Sequence, residues 1–557
     1  MTLAAKPGQA PGVTTDTAPA RPPRPIELAA IGLVLLAIVA ALQWRVGAYG
    51  AEFTDDDSSH YISGLLIHDW ITAGMPRRAV DFVRNYHAHY PLVGIGHWGP
   101  AYYAVEAAWM LVFSTGRAAM LMLSATVTAA TALLTYALAA RISARPVAAL
   151  AALIAATSPI VQQGSSQLML DMPMALACLV AMTFYARFLA TGGVAASCGF
   201  ALAAAFAILI KGNGACLALL PPFALILGAR FDLLRRAGFW LPALIVGATA
   251  GPWYWLTYGQ VAAGFRFTWG WTYTRIALSE NTAIALRAVG PVVLIAGVMG
   301  FIAVPATSAR RHPILLAAAS LAAAVWIFQS LVPAAIQDRY LAPLLPPLLI
   351  LAAHAVQAAA VWIAGRAAAH RPALRHPAIP AAFLAAALAV SFLPYISMVE
   401  ARPQLGFIAA ARQVWDRRIP ANPAVLIAAH SLAEGAAIAE LAMADPARPS
   451  LFAIRASRLL GGGGYNTQDY EPKFSSPEQV MAAIDDYAIP LLLIRSENAP
   501  REWAHIRQLE EAMALHPDRF HLIWQDGPTR LYGIGGNAAR PADTARLIEL
   551  SAPRALE

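Results

Sequence analysis

Three consecutive carboxylates stand in Phe53-Thr54-Asp55-Asp56-Asp57-Ser58-Ser59-His60-Tyr61. Mutual repulsion makes simultaneous ionisation of Asp55, Asp56 and Asp57 costly unless a cation, or a hydroxyl awaiting deprotonation, lies close by. The stretch therefore reads either as a general-base site or as a solvated acidic loop. The same region carries His60, His68, His87, His89 and His97, five of the 13 histidines in the chain. Histidine beside carboxylate can ligate metal or move protons. Only His87-Ala88-His89 is a close pair, and no tight zinc spacing occurs. Metal ligation and interfacial packing stay as equal readings, and the need for a divalent cation is left open.

Further along, Asp171 in Leu170-Asp171-Met172-Pro173 is a carboxylate at the end of an apolar block. A charge at membrane depth is costly and usually faces a cavity or a partner, although Asp before Pro is also ordinary helix-capping chemistry. Lys211 in Ile210-Lys211-Gly212 and Arg339 in Asp338-Arg339-Tyr340 interrupt apolar sequence, and Arg266 and Arg275 lie in an aromatic loop. Cations in such places suit a phosphate, Arg by bidentate contacts and Lys as a point charge; lipid-headgroup contact is the alternative. Cys178, Cys198 and Cys216 show no ligand or disulfide spacing and read as small core residues. Gly461–Gly464 lacks the spacing of a phosphate-cradling loop and reads as a surface loop.

The elements that must position these residues are membrane helices. The chain of 557 residues is 58% hydrophobic and 13% charged, against about 25% charged for a soluble protein. Its apolar residues come in blocks of roughly 15 to 24, the length that crosses a bilayer. The net charge of +8 does not indicate nucleic acid, because the arginines sit in short loops where they set topology. Residues 1–26 read as a disordered cytoplasmic segment, followed by an uncleaved first span. The apolar segment Ala101–Phe113 is the point on which topology turns. If it does not cross, about eleven spans result, among them Phe239–Leu256 and Arg287–Ala306, and the basic clusters at Arg141/Arg145, Arg187, Arg230/Arg235/Arg236, Arg310/Arg311 and Arg366/Arg371/Arg375 all fall on the cytoplasmic side. The segment is therefore placed at the outer interface. The first loop (47–117), the loop Tyr258–Leu286 and everything after Ile396 then lie outside. Trp253, Trp255, Trp269 and Trp271 read as an interfacial belt.

After residue 400 the pattern changes. Strand-like runs at Ala424–Ala428, Leu451–Ile454, Pro490–Ile494, His521–Trp524 and Arg530–Ile534 alternate with helical patterns at Leu432–Met443, Pro477–Tyr487 and Arg501–Leu515. This is an extracytoplasmic α/β domain over 400–535, with a tail over 536–557 that reads as disordered.

Five short motifs in this order resemble the GT-C superfamily of membrane glycosyltransferases, of the protein O-mannosyltransferase and lipid A aminoarabinose transferase type. They are Asp56-Asp57-Ser58-Ser59-His60-Tyr61, Gly99-Pro100-Ala101-Tyr102-Tyr103, Asp171-Met172-Pro173, Lys211-Gly212 and Arg339-Tyr340-Leu341-Ala342-Pro343. The resemblance covers roughly residues 27–400. It departs at Ser58, which stands where the family usually has Glu if Asp57 is the aligned Asp, and at Gly99, where it has the first Pro of a Pro-Pro pair. The first departure leaves open whether Asp57 or Asp56 is the aligned base. The resemblance implies an inverting transfer from a polyprenyl-phosphate sugar to a lipid, glycan or protein acceptor at the outer face of a bacterial cytoplasmic membrane. It implies that Lys211 and Arg339 hold the donor phosphate, that Asp171 supports the base or a divalent ion, and that Asp55, His60, Tyr61, His87, His89 and His97 are candidate substrate or metal contacts. A transporter or flippase of a lipid-linked substrate is the alternative. Transporters commonly carry internal repeats and ionisable residues at the midplane, whereas here no repeat is evident and the ionisable residues gather at one face.

Overall fold

A computed structural model of the protein describes residues 22–54, 56–265, 267–367, 376–462, 470–497 and 503–551. Asp55, Arg266, Arg371, Arg375, Gly463, Gly464 and most of the N-terminal segment read as disordered lie outside the described residues.

Helix α1 (Pro25–Arg45) is apolar between Glu27 and Gln43, with proline in its first turn, where the missing N–H has no intrahelical partner to lose. The first loop that follows is largely helical, with α2 (Asp56–Thr72), α3 (Ala79–His89) and α4 (Ala101–Val112). At 12 residues, α4 is about 18 Å long, too short for the roughly 30 Å of a bilayer core. It packs on α2 with Tyr102, Tyr103 and Glu106 buried, and Leu111, Val112 and the following Phe113 are exposed.

Then come α5 (Arg117–Ala139), α6 (Arg145–Thr157), α7 (Pro159–Ser165), α8 (Asp171–Thr191), α9 (Val194–Ile210), α10 (Leu220–Gly228), α11 (Ala237–Thr249), α12 (Gly251–Ala262), α13 (Trp271–Ala306), α14 (Pro313–Leu331), α15 (Leu345–Ala367) and α16 (Ala378–Ile396). Among the described residues, 7 helices are long and apolar enough to cross a membrane, and the pair α6–α7, bent by 53° at Pro159, makes an eighth. The shorter apolar segments Val194–Ile210, Gly212–Gly228 and Ala237–Thr249 coincide with the remaining expected spans. Two boundaries differ from expectation. The span expected from Arg287 is the end of the 36-residue α13, which breaks at Gly290 before Pro291, so the loop expected before it is helical from Trp271 onward. The span expected over Phe239–Leu256 is interrupted at Ala250, before the Gly251-Pro252 start of α12.

One end of the bundle gathers the basic loops. Arg145 pairs with Glu27 at 3.0 Å, Ala144 N donates to Gln357 Oε1, and Arg230 reaches Leu189 O. Asp171, Lys211 and Arg339 lie at the opposite end.

The C-terminal domain contains α17 (Phe407–Arg417), β1 (Ala424–Ala428), α18 (Ser431–Ala444), β2 (Phe452–Arg455), α19 (Ala456–Leu459), β3 (Gly461–Gly462), β4 (Glu471–Pro472), α20 (Pro477–Asp486), β5 (Leu491–Arg495), α21 (Ala504–Leu515), β6 (Phe520–Asp526), β7 (Thr529–Ile534) and α22 (Thr544–Ser551). The main sheet has the order β2-β1-β5-β7-β6. β1 is parallel to β2 and β5, and β7 is antiparallel to β5 and β6. Both faces of β1 are covered, which is why it reads as a continuous apolar run. Leu426 and Ala428 face a core with Ile506 and Leu509 of α21. Val425 and Ile427 face α17 and α18, in a core continuous with that of the helical bundle. The tail read as disordered over 536–557 carries α22. Its Leu547 is buried in the same core as Ala88 of α3, because an amphipathic turn there finds a partner from the first loop.

Candidate active site

Four charged side chains from distant parts of the chain meet at the end of the bundle opposite the basic loops. Asp56 is the first residue of α2. Arg339, in the short turn before α15, donates from Nη2 to Asp56 Oδ2 at 2.7 Å and from Nε to Gln337 Oε1 at 2.7 Å. The same Nε lies 3.9 Å from Asp171 Oδ2. Lys211, just past α9, donates to Asp171 Oδ1 at 2.7 Å, and its ammonium stands 4.3 Å from the Tyr340 ring centroid. Asp171 is buried at the first turn of α8 and Lys211 is nearly so. Asp56 keeps 28% of its side-chain surface open. A cavity of about 410 Å³, lined by Gln163, Gly164, Gln167, Met169, Gln337 and Arg339 among others, opens beside this cluster.

The neighbouring carboxylate does something different. Asp57 has no exposed surface and pairs with Arg402 Nη2 at 3.3 Å. Arg402 also donates to the carbonyls of Ser166 and Glu52. The buried Glu52 accepts the backbone N–H groups of Leu405, Phe407 and Ile408 at the start of α17. The adjacent positions 56 and 57 thus point to two environments, the open cluster and a buried latch to the C-terminal domain. Of the two candidate bases, Asp56 is the one that meets the cation Arg339.

The other expected contacts divide similarly. His60 is buried in contact with the cluster side of α2. It is hydrogen-bonded through Nδ1 to the Tyr103 hydroxyl at 2.9 Å and packed on Trp98. Burial pushes its pKa down to about 3, and Lys211 and Arg339 add to this against the opposing pull of Asp56. His97 bonds through Nδ1 to Gln260 O at 3.1 Å, and burial lowers its pKa as well. Tyr61 faces away from the cluster; its hydroxyl donates to Thr115 O and its ring packs on Phe53. His87 and His89 are also elsewhere. His89 stacks on Phe452 of β2 with centroids 3.9 Å apart, and burial, with the nearby charges of Arg458 and Arg455 adding to it, lowers the pKa of His87 to about 4. Among the described residues, no three His, Cys, Asp or Glu side chains converge as a metal site; Asp56 and Asp171 are met by Lys211 and Arg339 instead. Arg275 is exposed on α13. Asp55 lies outside the described residues.

The burial of Asp56 pushes its carboxyl up, but Arg339 and Lys211 outweigh that and hold it below the usual carboxylate range. It is therefore ionised at neutral pH. The departure at Gly99 has a steric reason: a Cβ there would lie 2.0 Å from Leu209 O, so only glycine lets the start of α4 close against the end of α9 beside Lys211. Sequence reasoning missed Glu52 and Arg402 as supports of the site. Their signal was faint, namely single polar residues at the margins of apolar or aromatic segments.

Comparison with known proteins bears on the fold. Residues 97–255 match the dolichyl-phosphate-mannose-protein mannosyltransferase family. ArnT from Cupriavidus metallidurans bound to undecaprenyl phosphate superposes with a TM-score of 0.59 at 16% identity, over 91% of this chain and 99% of that one. The same protein in the apo state gives 0.57 at 17% identity, over 92% and 100%. The archaeal oligosaccharyltransferase AglB from Archaeoglobus fulgidus, in complex with an inhibitory peptide and a dolichol-phosphate, gives 0.50 at 13% identity, over 93% and 77%. No curated protein matches by sequence. The fold is that of the GT-C superfamily of membrane glycosyltransferases, as the five short motifs imply. Within that class, the ArnT structures match the chain over nearly its whole length, C-terminal domain included.

Proposed function

We propose that the protein transfers a sugar from a polyprenyl-phosphate donor to an acceptor hydroxyl at the outer face of a bacterial cytoplasmic membrane, with inversion at the anomeric carbon. The observation that carries this reading is the convergence of Asp56, Asp171, Lys211 and Arg339 beside a cavity. In this state two carboxylates balance two cations. An entering phosphate competes for Lys211 and Arg339 and frees Asp56 to accept a proton. The acceptor O–H loses its proton to Asp56, its oxygen bonds to the anomeric carbon, and the bond to the phosphate oxygen breaks. Polyprenyl phosphate leaves with the extra negative charge, which the two cations offset as it develops. Asp171 orients Lys211, and Asp57 positions α2 through Arg402. An apolar groove of about 260 Å³, lined by Phe200, Ile208, Leu217, Pro221, Trp240 and Val246, opens between the segments that flank Lys211 and suits an isoprenoid chain. That ArnT has been crystallised with undecaprenyl phosphate supports a donor of this chemistry.

The test is transfer of labelled sugar from polyprenyl phosphate to envelope acceptors in membranes carrying wild type, Asp56→Asn or Asp57→Asn. Loss of a base costs about 10²–10⁴-fold in rate. We expect Asp56→Asn to lose that much while inserting normally, and Asp57→Asn to act mainly through stability. Labelled lipid crossing the bilayer with no glycosidic product would replace this reading with transport.

A further inference from the structure

Two adjacent glutamines on α7 face different surroundings. Gln162 is buried: its Nε2 donates to the carbonyls of Thr157 and Ile396, and its Oε1 accepts from Arg45. Gln163 is exposed. With Gln167, four residues on, it lines the cavity of about 410 Å³ that opens beside Arg339. That volume falls in the range of small-molecule sites, about 300–1,000 Å³. Among the described residues, the side-chain amides of Gln163 and Gln167 have no hydrogen-bond partner, so each offers a ligand both a carbonyl acceptor and an NH₂ donor.

The wall that carries these amides is held from behind. Ser165 O accepts from Gln43 of α1, Ser166 O from Arg402, and Gln167 O from Ser124 of α5. The two glutamines therefore stand on a fixed backbone, as a preformed site requires. The other wall is the turn before α15. There Gln337 Oε1 accepts from Arg339 Nε, and Arg339 Nη1 lies 3.0 Å from the sulfur of Met169. The guanidinium is thus steadied on two edges while Nη2 meets Asp56.

Asp171 takes Lys211 on Oδ1 and stands 3.9 Å from Arg339 with Oδ2, so a phosphate held by both cations lies between them. The apolar groove adjoins the segments around Lys211, and the amide-lined cavity adjoins Arg339. A sugar ring leaves water only for walls that replace its hydrogen bonds; the side chains of the groove offer none, and those of the cavity do. Charge narrows the class of sugar. Among the described residues, the ionised groups on the cavity wall are Asp338 and Arg339, and each has a counter-ion, Arg287 at 3.2 Å and Asp56 at 2.7 Å. An ammonium brought to Asp338 meets the like charge of Arg287, and a carboxylate brought to Arg339 competes with the phosphate. Hydroxyls displace neither, and the amides can donate to them and accept from them.

We infer that this cavity is the subsite for the sugar of the lipid-linked donor, that the sugar is uncharged, and that Gln163 and Gln167 select it by bonding its hydroxyls. The link to a donor phosphate at Arg339 rests on the transfer reading above; recognition of a neutral sugar by Gln163 and Gln167 does not.

The experiment measures binding by microscale thermophoresis on the full chain in a sugar-free detergent. The probes are undecaprenyl phosphate alone, the same lipid carrying a neutral sugar (glucose, mannose, galactose or arabinose), and the same lipid carrying glucosamine or glucuronate. Wild type should bind one neutral form at least about tenfold more tightly than the bare lipid, as two or more hydrogen bonds at about fivefold each imply, and more tightly than either charged form. Gln163→Ala and Gln167→Ala should each lower that preference by about fivefold. Both should melt like wild type, because neither amide is bonded within the protein. Arg339→Gln should weaken the bare and neutral-sugar forms by the same factor and keep their ratio. A wild type with no preference, a preference unaltered in both glutamine variants, or tightest binding of a charged form would overturn the assignment. A phosphate-free glucosyl diacylglycerol is the acceptor-side probe: if the glutamine variants weaken it and keep the donor preference, the cavity belongs to the acceptor and the donor subsite falls. Wild type that prefers a neutral donor yet transfers none of it leaves the cavity standing and removes the transfer reading; transfer without the preference does the reverse.

Discussion

At the scale of single residues, the position of Asp56 between two cations makes a prediction about pH. Its carboxyl is held below the usual value by Arg339 and Lys211 despite burial, so the ionised form persists as pH falls. The acidic limb of transfer should lie below the ordinary Asp value of about 3.9, and Arg339→Gln should move it upward while slowing transfer. A pH–rate profile of the two proteins measures this; a limb that does not move would remove Arg339 as the partner of the base. Linkage gives the same sign for stability: the Asp56–Arg339 pair contributes above the unfolded value and loses that contribution as pH falls through the folded one. His60 makes the complementary statement. With its pKa pushed down to about 3 it stays neutral, so the profile should show no step from it between pH 5 and 8. Neither property was legible in the sequence. A run of three Asp states that a partner is needed, but only the fold shows which cation arrives, and from 283 residues away.

At the scale of elements, α2 is held by both domains. Its first turn is fixed through the Asp57–Arg402 pair, its last through Asp69, which accepts from Arg448 at 2.9 Å and from the Tyr86 hydroxyl. Removing one partner of a buried pair leaves an uncompensated charge, at about 3–5 kcal/mol. Arg402→Ala should therefore lower stability by about that amount, measured by thermal unfolding in detergent, and should reduce transfer by releasing the start of α2. A variant that melts like wild type would show that the latch is not closed in solution. The helices and strands themselves were well read. The expected Leu432–Met443 is α18, Pro477–Tyr487 is α20, and the five expected strands are those of the main sheet, because alternation and apolar runs report burial directly. The helices α2, α3 and α22 were not read, since short mixed-polarity segments become helices only when another element covers one face.

At the scale of the whole molecule, the membrane bundle and the α/β domain form one structure. Arg117 pairs with Glu440 and the Tyr90 hydroxyl bonds to Asp445 across the junction, and α17 and α18 share the core of the bundle. A chain truncated after Ile396 should consequently fail to accumulate in the membrane, because it exposes that apolar face and strands Arg117, Asp57 and Asp69. Equal accumulation and melting of the truncated and full chains, compared by fluorescence size-exclusion, would show instead that the bundle stands alone.

The sequence by itself determined the class of the molecule, the succession of apolar helices and the α/β character of the C-terminal domain. These follow from composition, block length and periodicity, which are local properties of the chain. Only the tertiary structure decided that Asp56 and Asp57 serve different environments, that His87 and His89 belong to the domain junction, and that Gln162 is buried while Gln163 lines a cavity. Adjacent residues on a helix point in directions about 100° apart, and where each direction leads depends on elements hundreds of residues distant.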